Sequence, residues 1–263
     1  MISSDHTQDV KYFVAFCGTG QSGSTVASAL LDGHPNARIA FEQMPFKLWY
    51  AKHWSKEQIM QKMLTYGQGR HRQRFALPGS GSWLDRENQE SLLVIGDKHG
   101  GDIRRLLADR TTDVGPSVVD EFSEFIGLPV KIIHTIRNPY DVVPAWVDKQ
   151  KAIKTCPDLE KRFDRGIRRS LSLYKTMQPI LDRHPHFELY NDDLIKDPRG
   201  TLTKLCEYLE LPVVEPWLTT AAGIVFTEPH NRKDNREWGP GHKEKIEAQL
   251  IDKYPHYNRY KDS

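Results

Sequence analysis

The chain has 263 residues, 27% of them charged, and 37 Lys and Arg against 35 Asp and Glu leave a net charge of +2. That balance gives no electrostatic case for nucleic acid or a membrane surface as partner, and no apolar run approaches the roughly 20 residues of a membrane span. The three cysteines, Cys17, Cys156 and Cys206, are far apart and lack metal-ligand spacing. With an N-terminus that has no signal-peptide apolar core, they point to a soluble protein of the reducing cytoplasm.

Residues 1–10 read as a flexible N-terminus. A strand over 12–17 runs into a glycine-rich loop, and an amphipathic helix follows from about Ser24 to Asp32, stopped by Gly33-His34-Pro35-Asn36. Ala37 to Phe41 reads as a second strand. Residues 45–66 read as helical, with Leu48, Ile59, Met60, Met63 and Leu64 facing the core, and Pro78 to Ser82 as a loop. Ser91 to Ile95 reads as a buried strand that ends in the turn Gly96-Asp97-Lys98-His99-Gly100-Gly101, with a short helix over 102–108 beyond it.

Val118 to Ile126 reads as a helix closed by Gly127, and Val130 to Ile136 as a strand. A helix is expected from Tyr140 to about Lys151. Leu159, Phe163, Ile167, Leu171, Tyr174 and Ile180 mark a long helix over 158–183. Phe187 to Tyr190 is a strand and Thr201 to Leu209 a helix that ends before Pro212. A polar, basic stretch from Thr227 to Trp238 leads to a last helix over 243–252. Strands alternating with helices define an α/β fold, a P-loop-like parallel sheet flanked by helices, read as a single domain over the whole chain. Ligands of such sheets sit at the carboxyl ends of the strands. That places the glycine loop, Lys98-His99, Arg137 and Asn191-Asp192-Asp193 along one rim.

Residues 14–25, VAFCGTGQSGST, have the spacing of a P-loop, except that Ser24 stands where its lysine belongs. Backbone amides at such a helix start can cradle a 5′-phosphate. The cation that grips the outer phosphates of a nucleoside triphosphate is missing, as is a clear acidic strand end for magnesium. A small-molecule kinase is therefore a competing reading, and not the leading one.

Three segments follow one another in order. They are Gly20-Gln21-Ser22-Gly23-Ser24-Thr25 leading to Asp32-Gly33-His34-Pro35, then Ile132 to Val142 with Arg137-Asn138-Pro139 at its centre, then Phe187 to Ile195 with Asp197-Pro198 behind it. Together they resemble the sulfotransferases that use 3′-phosphoadenosine 5′-phosphosulfate (PAPS), most closely the tyrosylprotein and bacterial branches. The resemblance covers about residues 12 to 240. It implies metal-independent, in-line transfer of a sulfuryl group to a hydroxyl or amine, with 3′,5′-ADP (PAP) as product. The acceptor is a small molecule, glycan or peptide that the sequence does not name.

The resemblance assigns the donor's 5′ end to Gly20, Gln21, Ser22, Gly23, Ser24 and Thr25. It assigns the 3′-phosphate to Arg137, whose planar fork suits phosphate oxygens. The family's serine eight residues further on is Ala145 here, and Lys149 matches a position that is cationic in the tyrosylprotein branch. Arg232, Lys233 and Arg236, before Trp238, stand for the family's C-terminal cation, and Tyr190 belongs to the same set. Gln21 replaces a family Lys or Arg. Loss of one such contact typically costs about 10²–10³ in rate, so either another cation reaches in, with Lys98 the first candidate, or the enzyme is slow, or the protein is not an enzyme. The general base is Glu42 or His99. Glu42 lies near the glutamate of the tyrosylprotein branch, and His99 within one residue of the histidine of the cytosolic enzymes.

Plainer readings stand beside these. Cys17 reads as a buried structural thiol, His34 as helix-end packing, and Arg168-Arg169 as a solvated helix face. Arg70 to Arg74 reads as a solvated basic cluster. Tyr190 to Asp193 reads as a tie between a strand end and the core. Trp49, Trp54 and Trp83 line either an acceptor pocket or the core. Gln21 and Ala145 also allow a non-catalytic PAP-binding homologue.

Overall fold

The computed structural model describes residues 7–66, 91–99, 117–152, 158–225 and 238–261. Five strands, β1 (Tyr12–Gly18), β2 (Ala37–Phe41), β3 (Val94–Lys98), β4 (Val130–Ile136) and β5 (His186–Tyr190), form one sheet in the order β2-β3-β1-β4-β5. Every pairing is parallel. The helices are α1 (Ser24–Asp32), α2 (Pro45–Lys52), α3 (Lys56–Thr65), α4 (Ser117–Ile126), α5 (Pro139–Ala152), α6 (Leu159–Arg183), α7 (Asn191–Lys196), α8 (Pro198–Leu209), α9 (Glu215–Ile224) and α10 (His242–Ile246).

β1 carries an unbroken apolar run because both faces of the sheet are covered. Phe13, Ala15 and Cys17 enter a core closed by α2 to α6 and the C-terminal segment, while Val14 and Phe16 enter a second core closed by α1, α8 and α9. Trp49 stacks on Phe125 and meets Phe122 edge-on, which places it in the first core, and Trp54 packs against the same core. His34 is fully buried against Trp217; its Nδ1 accepts from the Asn36 amide, so its Nε2 donates to the Pro212 carbonyl at 2.9 Å. It packs the helix end, as the sequence suggests.

Several expectations are corrected. Residues 45–66 are two helices, because His53 takes a left-handed conformation (φ 53°) and Ser55 starts α3 with a capping box to Gln58. β3 does not end at Ile95. Gly96, Asp97 and Lys98 continue it, pairing with β2 and β1, because each polar side chain finds a partner at the rim. Val10 is buried and the Lys11 amide donates to Leu93, so the N-terminal strand is tied down from residue 10 onward. α7, α9 and a 3₁₀ turn over Pro255–Tyr260 lie where no element was expected, and the last helix ends in a π-helical turn, Glu247–Ile251. The helix expected over 102–108, the loop at 78–82, Trp83 and Arg70 to Arg74 lie outside the described residues. Among the described residues no helix is long and apolar enough to cross a membrane.

One buried ion pair joins three elements. Arg38 on β2 donates from Nη1 to both oxygens of Asp32 at the end of α1 (2.9 and 3.1 Å), and from Nε to the Met63 carbonyl of α3; both side chains are fully buried. Arg38 Nη2 also donates to the Tyr66 carbonyl, and the Ile39 amide donates to Asp32 at 2.7 Å.

Candidate active site

The rim expected from the sequence exists, and the strand order sets its layout. β1 ends in the glycine loop, with β3 and its terminal Lys98 on one side and β4, followed by Arg137, on the other. The loop turns through Gln21 at φ 73° and Gly23 at φ 89°, both left-handed, and then enters α1 with no side-chain cap. A Cβ on Gly23 would lie 2.4 Å from the Asn191 side-chain amide, so both its backbone conformation and its neighbour require glycine. Trp146 of α5 packs as closely under Gly20, and the Arg169 guanidinium lies 4.0 Å over the Trp146 ring. Arg169 is therefore not simply a solvated charge beside Arg168.

The hydroxyls of the loop divide into two kinds. Ser22 is fully buried and its Oγ lies 2.8 Å from Thr135 Oγ1, while Thr135 also donates to the Cys17 carbonyl. Its amide bonds the Thr19 carbonyl, so Ser22 holds the loop onto β4. Among the described residues the half-buried hydroxyls of Ser24 and Thr25, on the first turn of α1, have no hydrogen-bond partner. Arg137 donates from Nη1 to the Gln21 carbonyl at 3.4 Å, and its Nε lies 3.9 Å from the buried Asp141 carboxylate. The free amides at the start of α1 and a guanidinium beside the loop fit a ligand carrying two separate anionic groups.

On the other side, Lys98 is 7% exposed, lies over the Phe41 ring at 4.4 Å and ion-pairs with Glu42 at 3.1 Å. Glu42 is half exposed and left-handed (φ 56°), as is Met44 two residues on (φ 57°). This strained turn is held by Asp97, whose buried carboxylate accepts from the amides of Gln43 (3.0 Å) and Met44 (3.2 Å). His99 follows Lys98 and is half buried. Asp97 is a residue that sequence reasoning missed, having read it as part of a turn. Its one signal is a carboxylate inside a buried strand pattern.

Tyr190 donates its hydroxyl to Glu188 (2.8 Å), reaches the His256 carbonyl (3.3 Å) and lies under the Arg259 guanidinium at 4.3 Å. Arg259 forks onto Asp193 at 2.6 and 2.8 Å. The Tyr190 to Asp193 stretch thus ties the C-terminal segment to the sheet edge, and Asn191 is the member that touches the loop. Lys149 falls in the last turn of α5, and its side chain lies outside the described residues, as do Arg232, Lys233 and Arg236.

Residues 129–216, which hold β4, Arg137 and the Tyr190 stretch, match the model of the sulfotransferase family. Over 96 residues the chain is 30% identical to an omega-hydroxy-beta-dihydromenaquinone-9 sulfotransferase of Mycobacterium bovis, a match that covers 34% of this chain and 25% of that protein. The match thus takes in about a quarter of the length of the curated relative. The fold is shared with mouse sulfotransferase SULT7A1, solved with PAP (TM-score 0.54, 10% identity, 99% of this chain and 94% of that one). It is also shared with sulfotransferase STF9 of Mycobacterium avium (TM-score 0.53, 12% identity, 94% and 77%). The chain is thus similar to sulfotransferases over about a third of its length and shares their fold.

Proposed function

We propose that the protein transfers a sulfuryl group from PAPS to a hydroxyl or amine of its acceptor. The observation that carries this reading is the pair of cationic flanks on the glycine loop, Arg137 on one side and the Lys98–Glu42 pair on the other. The amides of α1, with the Ser24 and Thr25 hydroxyls, hold the 5′ end of the donor, and Arg137 serves the 3′-phosphate. The Mycobacterium bovis relative, named for a hydroxylated dihydromenaquinone, supports a hydroxyl as the accepting group.

In the transfer, the bond between the sulfur and the bridging oxygen breaks as sulfur bonds to the acceptor oxygen or nitrogen. The acceptor's proton goes to Glu42, and the bridging oxygen leaves as part of the 5′-phosphate. The Lys98 ammonium meets the charge developing on that oxygen, the task Gln21 cannot perform. Glu42 is preferred over His99 as base because it is half exposed at the rim on a turn that Asp97 holds, already within 3.1 Å of Lys98. Lys149, Arg232, Lys233 and Arg236 remain proposed contributors to the 3′-phosphate site.

The test is ligand binding before activity. PAP at 100 times its dissociation constant adds about 2.7 kcal/mol of stability, seen as a thermal shift and by calorimetry. Stabilisation by PAP that is lost in Arg137→Ala supports the donor site and justifies an acceptor screen with labelled PAPS. Stabilisation by ATP with magnesium alone would overturn the reading in favour of a kinase.

A further inference from the structure

A second group of chemistry-bearing side chains lies on the sheet face opposite α1, between β4, β5 and the C-terminal segment. His134 pairs with Glu188 across the β4–β5 ladder, and His186 stands two residues before Glu188, opposite Ile132. All three therefore project from the same face. Their donor atoms lie within 4.8 Å of one another. His134 is fully buried, and neither of its ring nitrogens has a hydrogen-bond partner among the described residues. An imidazole so placed is costly unless something takes its lone pair.

The neighbours are arranged as metal ligands usually are. His186 Nδ1 lies 3.0 Å from the His184 carbonyl. A carbonyl only accepts, so Nδ1 carries the proton and the Nε2 lone pair points elsewhere. Glu188 is oriented by the Tyr190 hydroxyl on Oε2, which leaves Oε1 free of that bond. A backbone carbonyl behind a ligating histidine and a hydrogen bond on a ligating carboxylate are the outer supports that fix ligand geometry. The His256 ring closes the group at 4.8 Å from His134, and its Nε2 also lacks a partner among the described residues.

We propose that His134, His186 and Glu188 bind a divalent transition-metal ion of the zinc type. Two imidazoles and a carboxylate suit zinc and exclude magnesium or calcium, which require oxygen donors. Zinc–nitrogen bonds of about 2.0–2.1 Å in a tetrahedron set donors roughly 3.3 Å apart, so the 4.8 Å spread must contract. Glu188 is exposed and His186 half buried on the edge strand, so their rotamers can supply the movement while His134 stays fixed. The ion would clip the sheet edge beside the C-terminal segment, and no step of the sulfuryl transfer passes through it.

The experiment is titration of tag-free full-length protein with Zn²⁺ by calorimetry and thermal shift, with Mg²⁺ as control, and with Co²⁺ followed by visible absorption. The expected result is one saturable Zn²⁺ site, stabilisation absent with Mg²⁺, and a tetrahedral Co²⁺ spectrum. His186→Ala and Glu188→Gln, both at partly exposed positions, should each weaken binding by at least about 10–100-fold without altering PAP binding. A zinc affinity equal in wild type and both variants, or no saturable site, would overturn the proposal.

Discussion

Arg38→Met tests whether the buried ion pair holds the loop-bearing helix to the sheet. The substitution preserves an apolar stem but removes the bidentate contact to Asp32 and the donors to Met63 and Tyr66. Asp32 would then lose its cationic partner in a fully buried site, while the Ile39 amide still donates to it. Removing one partner of a buried pair costs about 3–5 kcal/mol, chiefly through the charge left behind. That is a large part of the roughly 5–15 kcal/mol of a typical fold. In urea, with a slope near 3 kcal/mol/M, the midpoint should fall by about 1–1.7 M at unchanged slope. Asp32→Asn combined with Arg38→Met removes the orphan charge while leaving an acceptor for Ile39, so it should recover stability relative to the single variant. PAP affinity should change far less than stability, because the Ser22–Thr135 bond holds the loop independently of Arg38. A single variant losing under about 1 kcal/mol, or a double variant no better than the single, would refute the reasoning.

Lys98→Met should lower sulfuryl transfer by about 10²–10³ with PAP affinity nearly unchanged, if Lys98 acts on charge that develops during transfer; single-turnover rates with labelled PAPS decide this. Burial pushes the thiols of Cys17 and Cys206 up to about 12, so both should resist a disulfide reagent at pH 8 until urea exposes them. Two thiols reacting in the native state would contradict this. The Arg259 fork holds the Asp193 carboxyl below its ordinary range. A depressed folded value contributes stability above the unfolded value near 3.9 and loses it as pH falls through the folded one. The stability gap between wild type and Arg259→Gln should therefore be open at pH 7 and narrow below about pH 4; a gap constant into strong acid would contradict the assignment.

β1, β2 and β4 were legible because each is a mostly apolar, mostly buried run, and the β2, β4 and α1 boundaries match the sequence reading. β3 was misjudged because Asp97 and Lys98 look like turn residues; their place in the strand depends on Gln43, Met44 and Glu42, which a different strand delivers. The same reason hid Arg169 over Trp146 and the grouping of His134 with His186 and Glu188. Each depends on register or helix packing between segments remote in sequence, and no local pattern encodes it. The helices at 191–196 and 215–224 were missed for a different reason. Asp192 and Asp193 fill the first turn of one and Pro216 that of the other, residues that favour helix starts but look like loop when no long apolar period follows.

The glycine loop carries no lysine, with Gln21 and Ser24 at the two positions where the sequence reading looks for a cation, and the proposed donor site draws its positive charge from elsewhere. Gln21 is left-handed and exposed, and what it offers the site is its carbonyl, which Arg137 takes at 3.4 Å. The positive charge at the rim sits at the ends of the strands on either side of the loop, not on the loop itself. β3 ends in Lys98 and β4 leads into Arg137, and the order β3-β1-β4 sets one of them on each flank. A cation on a rigid strand end is better fixed than one on a loop, and Lys98 is further restrained by Glu42 and the Phe41 ring. Under the proposed function, the base Glu42 and the cation Lys98 would act as one coupled pair at the ends of adjacent strands, on a turn held by Asp97, rather than as two independent groups.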